Sequence, residues 1–290
     1  MRDWRTRVLA VLRALVWIAL VWVVSGFALS FNTLVTDQSG RRAFFSDEAI
    51  LAVVALGLSW AFLRMEGKAL TTLGLALSPR WLRQFGAGAL LGGGIILAAA
   101  LGSALLAGVR WQPGTPRLST VVSGAYLYLA VAWAEELHYR GYPFQRFCEA
   151  LGPWTAQVVF AVYFVQAHWQ NPGMEGTTRL WATLNIGLAS LLLGYAWLRS
   201  GSLALSLGIH FGWNFVQGPL LGFGVSGTQS PAILKPILPA TGVWLHGGAF
   251  GLEAGLACAV ACLAGGLLLD RLIRGGAILD GKGGACRDGS

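Results

Sequence analysis

Long apolar runs recur along this chain, with few charged residues between them. Of its 290 residues, 55% are hydrophobic and 12% are charged, whereas a soluble domain carries about 25% charged residues. Several runs approach the roughly 20 residues that a helix needs to cross a bilayer. They are continuous instead of alternating, which argues against a β-barrel. We therefore expect an all-α protein, a polytopic transmembrane bundle of about eight helices.

The expected spans follow one another closely, so residues 1–274 are interpreted as a single integral membrane domain. The first apolar run continues to about Phe31, which is too long for the hydrophobic part of a cleaved signal peptide, and it is taken as a membrane helix. The glycine-rich residues 275–290 are expected to form a flexible tail. By hydropathy the spans run near 8–30, 47–64, 84–108, 118–149, 153–169, 179–199, 202–217 and 247–273.

The net charge of +8 has two possible meanings. A nucleic-acid-binding protein gathers Lys and Arg into a patch, and no such patch with interleaved aromatic residues occurs, so no nucleic acid is expected as a partner. Basic residues scattered over the ends and short loops instead fit the positive-inside rule and predict cytoplasmic termini. The short loops are typical of a prokaryotic plasma-membrane protein. Arg2, Arg5, Arg7, Arg64, Lys68, Arg80, Arg83, Arg199, Arg271, Arg274 and Lys282 support this orientation, while Arg41, Arg42, Arg110 and Arg117 fall on the opposite side.

Two pairs of glycines are spaced for close helix packing. Gly88 and Gly92 lie in the third expected span, and Gly208 and Gly212 lie in the seventh. Small residues four apart allow helix backbones to approach each other in a membrane. Residues 218–246, which contain four prolines, form the longest internal connection; they are interpreted as a surface loop, with a lid as the alternative.

Two adjacent glutamates and an arginine occur within the fourth expected span, as Glu135, Glu136 and Arg140. Ionisable groups at membrane depth are costly, so they are rarely kept without a partner or a task. Glu136 and Arg140 share a helix face at i,i+4, the spacing of an ion pair. Glu135 points about 100° away from Glu136, which leaves its carboxylate available for chemistry. The alternative is a plain helix end with its charges in water.

The spacing of Glu135 and His168 favours the chemical interpretation. Leu151-Gly152-Pro153 has the composition of a helix–helix turn, and Glu135 lies 17 residues before Gly152 while His168 lies 16 after it. At 1.5 Å per residue both side chains lie about 25 Å from the turn. An antiparallel hairpin would bring them to the same level, provided that the fourth helix continues past Arg140 toward Cys148 despite Pro143, either straight or with a kink there.

A second polar pair lies in the seventh expected span. His210 and Asn214 are four residues apart in an otherwise apolar run, so they share one helix face. They either satisfy neighbouring helices or point into a reaction cavity. Asn185 and Gln166 are candidate hydrogen-bond donors around such a cavity, whereas His138 and His246 are interpreted as structural or loop residues.

Together these side chains could hydrolyse an amide bond. Glu135, with His168, could hold and deprotonate a water molecule, and His210 with Asn214 could donate hydrogen bonds to the developing oxyanion. No serine or cysteine stands in the setting of a nucleophile. A second version places a divalent metal such as zinc between Glu135, His168 and His210. The metal-free version is preferred because His-Glu-x-x-His is absent and asparagine is a poor zinc ligand.

Three motifs occur in order on separate apolar segments: Glu135-Glu136-x-x-x-Arg140, Phe164-x-x-x-His168 and His210-x-x-x-Asn214. Each is weak alone, but the ordered triplet resembles the CAAX prenyl protease and bacteriocin-processing family, the Rce-type (Abi) intramembrane endopeptidases. The resemblance covers about residues 118–217, which would be the protease core.

The resemblance implies an eight-helix membrane endopeptidase that cuts near the C-terminus of membrane-associated, in some cases prenylated, peptides or proteins. It implies catalytic roles for Glu135, His168, His210 and Asn214, and a supporting role for Glu136 and Arg140. Members of the family have been described both as glutamate proteases and as metalloproteases. Two alternatives stay open: a transporter that uses the carboxylates as proton sites, and an inactive membrane protein that binds peptides or confers immunity.

Overall fold

The computed structural model describes residues 3–39, 46–114, 117–276 and 278, and it confirms the all-α bundle. Two short strands, β1 (Arg110–Pro113) and β2 (Leu234–Ile237), pair antiparallel, with Arg110 opposite Ile237. Residue 277 and residues 279–290, most of the expected tail, lie outside the described part. The helices are α1 (Trp4–Ser39), α2 (Asp47–Met65), α3 (Pro79–Ala107), α4 (Leu118–Tyr139), α5 (Tyr142–Leu151), α6 (Pro153–His168), α7 (Gly176–Ser200), α8 (Leu203–Phe215), α9 (Val243–His246) and α10 (Leu256–Arg274).

The helices differ in whether they are long and apolar enough to cross a membrane. Among the described residues, five helices are long and apolar enough to do so, namely α1, α2, α3, α7 and α10. The protein is therefore an integral membrane protein. Of the other expected spans, α6 has 16 residues and α8 has 13, about 24 and 20 Å at 1.5 Å per residue. Both are shorter than the roughly 30 Å of a bilayer core.

The expected continuous fourth span, 118–149, was wrong, because α4 ends at Tyr139 and α5 begins at Tyr142. Pro143 has no amide hydrogen, and in a continuing helix its ring would clash with the carbonyl four residues earlier. Gly141 is needed at the break, since a Cβ there would lie 2.1 Å from the carbonyl oxygen of Leu137. Helix α5 packs against α1 and α6 instead of extending α4.

The turn between α7 and α8 follows directly from its residues. Gly201 has a φ of 65°, in the left-handed region that closes a helix, and the Ser202 hydroxyl accepts a hydrogen bond from the amide of Ala204 at the start of α8. The tight connection places α8 inside the bundle, with nearly all of its residues buried.

Helices α3 and α8 touch backbone to backbone through the two predicted glycine pairs. A Cβ at Gly92 would lie 2.0 Å from the carbonyl oxygen of Ile209, and one at Gly208 would lie 2.1 Å from that of Phe85. Gly212 and Gly88 are equally crowded, at 2.1 Å from the carbonyl oxygen of Ala89 and 2.4 Å from that of Leu205. The close approach fixes the height and rotation of α8 relative to the rest of the bundle.

A cluster of charged residues ties α1 and α5 to the end of α2. The Glu66 side chain, directly after α2, is 4% exposed and accepts hydrogen bonds from the Tyr142 hydroxyl and, at 2.6 Å, from Arg146 of α5. Lys68 lies 2.9 Å and Arg13 of α1 lies 3.5 Å from the same carboxylate. Burial by itself raises the pKa of the Glu66 carboxyl. The hydrogen bonds from Tyr142 and Lys68 and the positive charges of Arg146 and Lys68 lower it by more, so the pKa lies below its usual range.

Gly92→Ala is expected to destabilise the protein by about 1–3 kcal/mol, because the added methyl group forces α3 and α8 apart. Gly94→Ala is the matched control on the same helix, since its Cβ would meet nothing within 4 Å. It should be neutral or slightly stabilising, as alanine favours a helix. Denaturant titration in detergent compares the two, and equal stabilities would contradict the backbone contact.

Glu66→Gln is expected to lower stability at pH 7 by about 1–3 kcal/mol through the lost charged hydrogen bonds. A carboxyl whose folded pKa is depressed stabilises the protein above its unfolded pKa of about 4.3, and this contribution disappears as the pH falls through the folded value. The variant should therefore lose less stability than the parent protein between pH 5 and pH 3. Glu175→Gln, at an exposed site, should keep the parental acid dependence, as measured by thermal unfolding across that range.

Candidate active site

A cavity of about 250 Å³ lies inside the bundle, between α2, α4, α6, α7 and α8. Most of its wall is apolar, and its polar side chains come from helices that are distant in sequence. Glu135, His168, His210 and Asn214, the four side chains with predicted catalytic roles, all line it. Three separate motifs therefore converge on one cavity, and Glu135 and His168 both line it, although α5 is a separate helix and not the extension of α4.

The predicted ion pair between Glu136 and Arg140 lies directly behind the cavity. Their side chains are 0% and 1% exposed, and the Arg140 Nη1 donates to the Glu136 Oε1 over 3.1 Å. The second terminal nitrogen of Arg140 donates to the carbonyl and the hydroxyl of Ser190 on α7, at 3.0 and 2.9 Å. The pair thus joins α4 to α7 without a net charge.

His210 lies between the two adjacent glutamates. Its Nδ1 is 3.0 Å from the Glu136 Oε1, and its Nε2 is 3.6 Å from the Glu135 Oε2. The Glu136 carboxylate, already paired with Arg140, can only accept hydrogen bonds, so the hydrogen lies on Nδ1 of His210. The ring is thereby oriented with Nε2 facing Glu135.

His168 is held by the residue one turn earlier. Its Nδ1 lies 2.7 Å from the carbonyl oxygen of Phe164, an acceptor, so Nδ1 donates and the neutral ring has a bare Nε2. The Phe164 ring lies 4.6 Å from the His168 ring and also carries the Arg140 guanidinium at 4.9 Å on its face. These contacts give the Phe164-x-x-x-His168 spacing a structural reason.

Exposure separates the two glutamates as their spacing on the helix predicted. The side chain of Glu135 is 28% exposed, whereas that of Glu136 is 0% exposed. Asn214 is 4% exposed and lies one turn after His210 on the same face of α8. The carboxylate that can reach a substrate is therefore Glu135, with the amide of Asn214 across the same cavity.

Sequence reasoning missed Glu253, a buried glutamate that also lines the cavity. Its carboxylate accepts hydrogen bonds from the Ser226 backbone amide at 2.6 Å and hydroxyl at 2.9 Å, and from the Trp213 indole at 3.2 Å. A signal was available, because Glu253 is an isolated acid within the apolar span expected at 247–273. Ser226 lies in the connection 218–246, so part of that loop forms the wall of the cavity.

The two expected supporting amides have different outcomes. Asn185 lines the cavity, and its side-chain nitrogen donates to the carbonyl oxygens of Glu253 and Gly255 at 2.8 and 2.9 Å. Gln166 was wrong for this role, because it lies on the exposed face of α6, away from the cavity. Because these helices are apolar on all sides, the periodicity of the sequence could not show which face points to the cavity and which points outward.

The metal version of the site has no ready-made ligand set in the part of the chain that the structure describes. There, no three side chains of His, Cys, Asp or Glu lie close enough together to hold a metal ion. The Nε2 atoms of His168 and His210 are the atoms that such an ion would use.

Comparison with known proteins assigns the segment that carries the site. Residues 117–216 match the family model described as type II CAAX prenyl endopeptidase Rce1-like. The chain carries an Rce1-like segment. The resemblance inferred from the three motifs is thereby confirmed, and the match coincides closely with the expected core 118–217. No curated protein and no solved structure matches the chain.

The Rce1-like segment begins directly before α4 and ends directly after α8, so it includes every predicted catalytic and supporting residue. At the level of the family, this supports a CAAX-type membrane endopeptidase, hence a hydrolase that acts on peptide substrates. Glu253 and Ser226 lie outside the matched residues, although they line the same cavity.

Arg140→Met is expected to destabilise the protein by about 3–5 kcal/mol, because it leaves the buried Glu136 carboxylate without its cation. Glu135→Gln should change stability by less than about 1 kcal/mol, since Glu135 is partly exposed and makes only a long contact to His210. Denaturant titration of both variants in detergent measures the difference. Similar losses in the two variants would contradict the division into a supporting and an accessible glutamate.

Proposed function

We propose that this protein is an intramembrane glutamic endopeptidase that cuts near the C-terminus of membrane-associated peptides or proteins, prenylated ones included. The observation that carries the proposal is the single cavity lined by Glu135, His168, His210 and Asn214 within an Rce1-like segment of a membrane protein. The apolar wall of the cavity suits a hydrophobic substrate segment.

The first step is the activation of water. The Glu135 carboxylate and the bare Nε2 of His168 are both acceptors, so one water molecule can donate a hydrogen to each and direct a lone pair at the substrate carbonyl carbon. As the carbon–oxygen bond forms, Glu135 takes the proton of the water. The carbonyl oxygen becomes an oxyanion in a tetrahedral intermediate.

Asn214 and His210 stabilise that oxyanion in this scheme. The Asn214 side-chain amide donates directly. Because Nδ1 of His210 donates to Glu136, the ring can donate through Nε2 only as an imidazolium, a form that both neighbouring carboxylates favour. Protonated Glu135 then gives its proton to the departing nitrogen, and the carbon–nitrogen bond breaks to give a carboxylic acid and an amine. The proton of the acid passes to the amine, so a carboxylate and an ammonium group leave and Glu135 is again a carboxylate.

The setting of the enzyme is part of the proposal. Residues 1–274 form one membrane domain with both termini in the cytoplasm of a prokaryotic cell, on the strength of the basic residues near the two ends of the chain. The substrate is anchored in the same bilayer. Its reacting carbonyl reaches the cavity without crossing bulk water, which keeps the oxyanion contacts strong.

Glu135→Gln and His168→Ala are each expected to abolish cleavage of a prenylated or hydrophobic C-terminal peptide by the purified protein in detergent. Gln cannot accept the proton of water, and Ala removes the second acceptor, so each kcat should fall by about 100-fold or more. Product release is followed by mass spectrometry, and unfolding curves check that both variants fold. Unreduced turnover in either variant would exclude the proposed roles.

Glu175→Gln serves as the control, since this exposed residue lies away from the cavity. Prolonged chelation is the second control: activity that survives it supports the metal-free scheme, while loss restored by zinc would assign Glu135, His168 and His210 to a metal. A wild-type protein that cuts none of the peptides would favour the alternatives, a proton-coupled transporter or a catalytically inactive peptide-binding or immunity protein.

A further inference from the structure

Glu253 joins four parts of the structure through one short turn. Its carboxylate accepts from Ser226 of the cavity wall, through both the amide and the hydroxyl, and from Trp213 of α8. Its carbonyl oxygen accepts from the side chain of Asn185 on α7. The turn itself, residues 252–254, directly precedes α10.

Ser226 has a backbone conformation that requires such support. Its φ is 47°, and it is the one non-glycine residue with positive φ in the described part of the chain. A side chain in the left-handed region is strained and persists only where its surroundings hold it. Here the Glu253 carboxylate holds it through the amide and the hydroxyl of the same residue.

The strained residue leads directly to His168. The carbonyl oxygen of Ser226 accepts a hydrogen bond of 3.0 Å from the Asn171 side chain. Asn171 is in the turn after α6, and its backbone N–H donates to the backbone carbonyl of His168 over 3.0 Å. Glu253, Ser226 and Asn171 thus form a connected chain of contacts that ends at the C-terminus of α6, where His168 is located.

The other carboxylate oxygen of Glu253 accepts a hydrogen bond from α8, the helix that carries His210. Trp213, which donates to it, is three residues after His210 and directly precedes Asn214 on α8. The indole therefore anchors Glu253, and with it Ser226, to the face of α8 that carries both predicted oxyanion donors. The two oxygens of one carboxylate connect the water-holding and the oxyanion-binding sides of the cavity.

We infer that Glu253 is a positioning residue for the proposed hydrolysis: its carboxylate clamps Ser226 and Trp213 and so sets the separation between His168 and the His210–Asn214 face. The inference rests on the proposed function. It predicts that the clamp acts on catalysis and hardly on substrate binding, because a displacement of the order of 1 Å at reacting groups costs about 100-fold in rate.

The test compares Glu253→Gln, Ser226→Ala and the double variant, with the same peptide in detergent. Glutamine keeps the shape but offers one acceptor oxygen instead of two, so it cannot satisfy Ser226 and Trp213 together. We expect kcat to fall about 10- to 100-fold with KM changed less than about threefold. The Ser226 variant should lose less, and the double variant no more than Glu253→Gln alone, because both changes break the same contact.

The controls separate the inference from the proposed function. Glu175→Gln should retain the parental kcat. Trp213→Phe, which removes the indole donor together with part of the ring, should reduce kcat even if Glu253→Gln fails to fold. Active wild-type protein with an equally active, folded Glu253→Gln variant would overturn the inference alone, as would strictly additive losses in the double variant. Wild-type protein that cuts no peptide would overturn both.

Discussion

The buried Glu136 carboxylate is the interaction on which the site depends. A charge at that depth must be neutralised, and Arg140 from the next turn of the chain neutralises it while reaching Ser190 of α7. The same oxygen receives the Nδ1 hydrogen of His210 from α8. One carboxylate therefore fixes the relation of three helices and the orientation of the ring that faces Glu135. Because the partners of Glu136 are internal, the neighbouring Glu135 can remain accessible, with a contact of 3.6 Å to Nε2 of His210.

The glycine contacts between α3 and α8 make that arrangement rigid. Helix α8 is too short to span a bilayer alone, and it is held inside the bundle by backbone contact with α3 rather than by its length. A helix enclosed on all sides can present His210 and Asn214 to a cavity inside the bundle. Small residues are required for this purpose, since lipid supplies no hydrophobic force between helices.

Much of the fold and of the site could be predicted from sequence because the informative residues are rare in their surroundings. An acid, an arginine or a histidine is easily recognised in an apolar run. Residues at i and i+4 lie on the same face of a helix, so the spacing shows which of them can pair. The same reasoning failed where neighbours are not encoded locally. Gln166 faces outward, Glu253 was overlooked in an apolar span, and the break at Gly141 depends on contact with the carbonyl of Leu137. The contact between His210 and Glu136 joins residues 74 positions apart, and no periodicity reports it.

The sequence by itself determined that the chain is a helical membrane protein, that Glu136 and Arg140 pair, and that three polar motifs resemble those of one endopeptidase family. These properties follow from composition and from spacing within single helices, where geometry is regular. Only the tertiary structure decided that the loop at Ser226 and the turn at Glu253 complete the cavity, and that His210 lies between two carboxylates. Those arrangements arise from packing between distant segments, which the regular geometry of one helix does not specify.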